Sequence, residues 1–346
     1  MTPRRLAILP LLLTLTVLAA GCGERVEPTG KPKPESLALM LDYLPNADHA
    51  GIYAAQAQGY FQKAGLTVDI KTPGDPSAPL KLLAAGKVDL AISYEPELML
   101  ARDKGLKLVA VGALVQKPLT SIMSVGKDHI TDPAQLKGKT VGTAGIPYQS
   151  AYLKAILAHA HVDPASVKEV DVGFNLVPAM LSHKVAATLG AFWNVEGIQL
   201  QRQQKDPSII RLDKTGVPTY DELVIVARAQ DLRNGGERVR RFMRALALGH
   251  LALQKDPAIG VDALLKEDKD LDRGQTEASV KATLPVFFPG GGKPFGYMDP
   301  ATWRAYGDWM LPNKLITQPA DATRELTNEF LPGEGLAGTN TRTPTP

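Results

Sequence analysis

The stretch Leu37–Ile70, LALMLDYLPNADHAGIYAAQAQGYFQKAGLTVDI, constrains the fold more than any other part of the chain. Leu37–Leu41 is an aliphatic run without Gly or Pro and reads as a strand. From about Ala50 to Lys63, Ile52, Tyr53, Ala57 and Tyr60–Phe61 recur at roughly helical spacing, and Gly65 stops the helix. Leu66–Ile70 then alternates apolar and polar residues like a second strand. Strand, helix and strand in this order open an α/β sheet, where ligands sit beyond the carboxyl ends of strands. The loop Asp42–His49 occupies that position. It crowds the carboxylate of Asp42, the ring of Tyr43, the amide of Asn46 and the imidazole of His49 together, which makes it the first candidate binding loop.

The alternation continues. A helix is expected over Pro79–Ala85, a strand reaching Ser93, and a polar cluster with Tyr94 and Glu95 at its carboxyl end. Leu98–Lys104 reads as a helix, and Leu106–Gln116 and Ser121–Val125 as strands. The plan restarts with a strand at Lys139–Gly142, a loop Thr143–Ser150 holding Tyr148, and a helix Ala151–Ala160. A strand Val167–Val172, a helix Val177–Ser182 and a buried strand Ala186–Leu189 follow, the last leading to Trp193, Asn194 and Glu196. Leu223–Ala227 is a strand crossing back, preceded by Tyr220, and Glu237–Gln254 is an amphipathic helix. Two such halves in one chain predict two doubly wound α/β lobes with a ligand cleft between them. The expected division is 37–118 for lobe 1, 119–220 for lobe 2, and 221–332 returning to lobe 1 with the C-terminal helices.

The ends speak about location. Met1–Arg5 is a short positive segment and Leu6–Ala20 an apolar run of signal-peptide length, so 1–21 reads as an export leader. Small residues lead directly to Cys22, the sole cysteine, in an arrangement similar to a bacterial lipobox; a lone Cys forms no intrachain disulfide, but this one stands where a lipid would attach. Residues 22–36 then form a flexible Pro- and Lys-rich tether, and 333–346 a disordered polar tail. The expected location is the cell envelope, with the protein held at the membrane by its lipid anchor. With Arg4 and Arg5 removed, 37 basic residues face 36 acidic ones, so the chain carries no electrostatic footprint for nucleic acid.

Catalytic signatures are missing. The Gly-rich runs are neither G-x-G-x-x-G nor a Walker loop, no H-E-x-x-H or G-x-S-x-G is present, and no thiol remains beside Cys22. No enzyme, metal or cofactor is expected on these grounds. What recurs at strand ends is aromatic residues paired with amides and carboxylates: Asp42, Tyr43, Asn46, His49, Tyr94, Glu95, Tyr148, Trp193, Asn194, Glu196 and Tyr220. Aromatic faces suit a flat heteroaromatic ligand, and Glu196 or Glu95 could pair with an aminopyrimidine edge through two parallel hydrogen bonds. The remaining aromatics, among them Tyr53, Phe61, Trp303 and Tyr306, read as packing.

Asp42–Gly65, the loop Gly142–Pro147 (GTAGIP), and Ala191–Gly197 (AFWNVEG) with Val217–Leu223 (VPTYDEL) together resemble the THI5/NMT1-like family of ABC-importer solute-binding proteins. The resemblance implies a type II periplasmic-binding-protein fold that closes about a hinge, and a pyrimidine thiamine precursor, hydroxymethylpyrimidine or formylaminopyrimidine, as ligand. It also implies an ABC permease and ATPase as partners of a monomeric protein. Riboflavin is the alternative ligand, as some relatives deliver it, and a thiamine-pyrimidine enzyme the alternative class. The fungal synthases of that fold family carry a cysteine-rich iron-binding motif, which a chain with one Cys does not have.

Overall fold

The computed structural model describes residues 25–26, 32–288, 290, 292–333 and 336–337. The expected leader, Cys22, most of the tether and most of the tail lie outside the described residues. Arg25–Val26 (β1) pairs in parallel with Leu336–Ala337 (β12). All other strands fall into two five-stranded sheets.

The first sheet has the order β3-β2-β4-β11-β5, with β2 at Glu35–Met40, β3 at Leu66–Lys71, β4 at Leu90–Ser93, β5 at Leu108–Val115 and β11 at Leu223–Arg228. β2 runs parallel to β3 and β4, whereas β11 is antiparallel to β4 and β5. The second sheet has the order β10-β6-β9-β7-β8: β6 is Thr120–Ser124, β7 Thr140–Thr143, β8 Lys168–Asp171, β9 Ala187–Phe192 and β10 Ser208–Arg211. Here β7 is parallel to β8 and β9, and β6 is antiparallel to β9 and β10. Each sheet is thus doubly wound with one reversed strand, and the fold is the type II periplasmic-binding-protein arrangement of two α/β lobes. The central strands β4, β6 and β11 are buried along almost their whole length, as a sheet covered on both faces requires.

The chain crosses between the sheets twice, at 116–119 from β5 to β6 and at 212–222 from β10 to β11. Glu222 fastens the two crossings together. Its carboxyl accepts the backbone N–H groups of Leu119 (2.6 Å) and Thr120 (2.8 Å) and the hydroxyls of Thr120 (2.8 Å) and Tyr220 (3.0 Å).

Four local readings change, one of them at Tyr148, which the expected loop Thr143–Ser150 held and which instead lies in the helix Pro147–His159, opened by Pro147. The helix expected from Ala50 to Lys63 breaks into α1 (Ala50–Ala57) and α2 (Tyr60–Lys63), because Gly59 turns left-handed at φ +69°. Tyr94-Glu95-Pro96-Glu97 is not a loop: Glu95 opens the helix α4 (Glu95–Asp103), with Pro96 in its first turn. The strand β10 was not expected, since SIIR offers only four residues after a polar run.

Candidate functional site

In a doubly wound sheet the cleft forms where consecutive crossovers leave in opposite directions. In the first lobe that point lies between β2 and β4, whose carboxyl ends lead to Asp42 and Tyr94. In the second it lies between β7 and β9, which lead to 144–149 and to Phe192–Glu196. The two points face each other. The cavity between them is lined by Asp42, Tyr43, Asn46 and Tyr94 from the first lobe. Ile146, Tyr148, Gln149, Gly190, Phe192 and Glu196 are among the residues that line it from the second.

The first wall is tied together by hydrogen bonds. Asn46 caps the short turn Ala47–His49, its side-chain oxygen accepting the Asp48 N–H at 2.8 Å. The Asn46 backbone N–H donates to His49 Nδ1 at 3.2 Å, which leaves Nε2 to carry the ring proton and donate to Asp42 Oδ1 at 2.9 Å. Tyr94 donates its hydroxyl to Asp42 Oδ2 at 2.9 Å. Asp42 is therefore held from both sides, and His49, fully buried, stands behind the cavity and does not line it. The Tyr43 hydroxyl oxygen is buried without a hydrogen-bond partner among the described residues. Burial, then the carboxylates of Glu196 and Asp42, raise the Tyr43 phenol, so it stays a donor.

In the second wall, Gln149 Oε1 accepts the Ala144 N–H at 2.8 Å, closing the loop after β7. Gly190 lies at φ +123°, and a Cβ there would meet Gln149 Nε2 at 2.5 Å, so glycine lets the strand and the amide share the space. Half-buried Glu196 opens the helix α7 (Glu196–Arg202), and its Oε2 accepts the Phe192 N–H at 2.7 Å. Burial pushes the Glu196 carboxyl up to about 7, against hydrogen bonds from the backbone that pull it down.

The lobes also touch around the cavity. Tyr94 and Tyr148 have ring centroids 5.3 Å apart, and Tyr43 meets Phe174 edge to face at 4.8 Å. Asn194 Nδ2 donates to Asp48 Oδ1 and to Thr283 Oγ1, both at 2.7 Å, joining the second lobe to the first and to the helix α10 (Arg273–Thr283).

The sequence-predicted residues accordingly divide. Asp42, Tyr43, Asn46, Tyr94, Tyr148 and Glu196 converge on the cavity. Five others do not line it. His49 supports Asp42, and Asn194 ties the lobes. Glu95 is buried at the crossing, its Oε2 accepting the Asp221 N–H at 2.7 Å, because it belongs to the first helical turn and points away from the strand end. Tyr220 bonds Glu222. Half-buried Trp193 donates its indole N–H to the Pro118 carbonyl at 3.2 Å, and Arg211 lies over its ring at 4.4 Å. Sequence reasoning missed Phe174, Phe192 and Gly190, although the last two stand in the quoted AFWNVEG region or immediately before it.

A family model described as NMT1/THI5 like matches residues 46–259. The chain is 33% identical over 293 residues to the formylaminopyrimidine-binding protein of Halalkalibacterium halodurans, covering 83% of this chain and 88% of that one. It is 23% identical to the 4-amino-5-hydroxymethyl-2-methylpyrimidine phosphate synthase THI11 of Saccharomyces cerevisiae, covering 86% and 88%. Among solved structures, the alkanesulfonate-binding protein SsuA of Xanthomonas axonopodis pv. citri superposes with a TM-score of 0.67 at 17% identity, covering 86% of this chain and 99% of that one. The match in sequence and the two-lobed architecture agree: this chain belongs to the NMT1/THI5-like family.

Proposed function

We propose that this protein is the solute-binding subunit of an ABC importer and that it takes a pyrimidine thiamine precursor such as formylaminopyrimidine or hydroxymethylpyrimidine. The composition of the cavity carries this reading. Tyr43, Tyr94, Tyr148 and Phe192 supply rings, the charged groups are Asp42 and Glu196 from opposite lobes, and no Lys or Arg is among the described lining residues. A site with two carboxylates and no cation disfavours an anion such as nitrate or a sulfonate. A neutral aminopyrimidine presents a ring-nitrogen acceptor beside an amino donor. A Glu196 carboxyl that holds its proton near neutrality matches that edge with one donor and one acceptor. The formylaminopyrimidine-binding relative supports the same class.

In this reading ligand draws the lobes together, and the closed form is what the permease and its ATPase recognise. The leader and Cys22 support an exported protein anchored by lipid at the membrane. Both ring nitrogens of His49 are engaged in structural bonds, which favours binding over turnover.

Calorimetric titration of the purified protein tests the proposal. One-to-one binding of formylaminopyrimidine or hydroxymethylpyrimidine, with none of taurine, is expected. Binding of taurine alone overturns it, and binding of riboflavin alone reassigns the ligand. Conversion of any of these compounds by the protein establishes the enzymatic reading to which the synthase relative points.

A further inference from the structure

The inner cavity adjoins a wider vestibule, and the two share Tyr43, Asn46, Leu176, Val195 and Glu196. The outer wall of the vestibule is the loop before α10 and the first turns of that helix. Asp268, Asp270 and Asp272 all line it, and neither Lys nor Arg is among the described lining residues. Asp272 is partly compensated, accepting the Gln275 N–H at 2.7 Å and lying 3.6 Å from Arg202. Asp268 accepts only the Asp270 N–H, at 2.9 Å, and among the described residues no cation forms an ion pair with Asp268 or Asp270.

A second observation comes from α10 itself. Thr276 and Thr283 donate their hydroxyls to the carbonyls four residues back, those of Asp272 and Ser279, each at 2.8 Å. Ser279, between them on the same helix, is 3% exposed and lines the vestibule, yet its Oγ has no partner among the described residues. A buried hydroxyl left unpaired is costly, and its neighbours show that the helix offers a bond it does not take.

We infer that the vestibule is a second subsite, built for a positively charged substituent on the ring that the inner cavity holds, so that the ligand class extends to aminopyrimidines bearing a cationic nitrogen. This rests on the pyrimidine reading of the inner cavity. The ring fills the smaller space, and the substituent leaves past Glu196 into a chamber whose uncompensated charge is negative. Ser279 Oγ accepts one N–H of the substituent where it carries one.

Two ligands of equal size separate the effects: hydroxymethylpyrimidine and its aminomethyl counterpart, which is an ammonium ion at neutral pH. Calorimetry at low salt should give the ammonium compound about five- to tenfold tighter binding, an advantage that shrinks as salt is added. The double variant Asp268→Asn, Asp270→Asn should abolish most of that advantage and leave hydroxymethylpyrimidine affinity unchanged. Ser279→Ala should weaken the ammonium compound alone, by roughly threefold. Equal affinities, or an advantage that survives the double variant, overturn the inference while the pyrimidine reading stands. If neither compound binds, the pyrimidine reading fails and this inference falls with it.

Discussion

Glu222 and Thr120 are joined twice, the carboxyl accepting both the backbone N–H and the hydroxyl of Thr120 at 2.8 Å. Thr120 opens β6 where the first passage between the lobes ends and Glu222 closes the second, so this pair fixes how the crossings lie against each other. Glu222→Ala leaves the Leu119 and Thr120 N–H groups buried and unpaired and should lower the unfolding free energy by about 2–5 kcal/mol, measured in urea. Glu222→Gln keeps an acceptor and should cost clearly less. An unchanged midpoint in the alanine variant would remove Glu222 from the hinge.

The Glu196 carboxyl gives the site a pH signature. With the folded value raised to about 7 from an ordinary 4.5, the folded protein keeps a proton that the unfolded chain releases in between. Stability from this group is complete below the unfolded value and is lost as pH rises through about 7. Pyrimidine affinity should follow the same direction, falling by up to about tenfold per pH unit above 7 as the donor disappears. Glu196→Gln supplies a permanent donor and acceptor and should flatten the profile. The same slope in that variant would place the titration on another group.

Asn194 should act on closure without touching ligand. Its bonds to Asp48 and Thr283 exist only when the lobes meet. Asn194→Ala should weaken ligand by roughly tenfold. In small-angle scattering, its ligand-free form should be more expanded than the parent. Full affinity with unaltered scattering would reduce the contact to passive packing.

Trp193 and Tyr43 should part company. Trp193 is occupied by Pro118 and Arg211, so Trp193→Ala should leave the dissociation constant within about twofold. Tyr43→Phe removes a buried hydroxyl that has no partner among the described residues and should cost about three- to tenfold. The reverse ranking, read by calorimetry, would move the binding wall to Trp193.

The sequence by itself determined the alternation of strands and helices, the two α/β halves and the family, because apolar period, glycine stops and the motif loops are local properties of the chain. It also placed the right loops at the cleft, since a strand's carboxyl end is legible without knowing its neighbours. Which side chains of those loops line the cavity was decided only by the tertiary structure. Asp42 and Tyr94 are 52 residues apart and meet because β2 and β4 are adjacent in the sheet. Glu95, next to Tyr94, turns away because a helix begins there, and Trp193, three residues before Glu196, turns to the hinge. A strand end fixes where a loop starts, but the direction of each side chain beyond it depends on helix starts, caps and contacts made by distant segments.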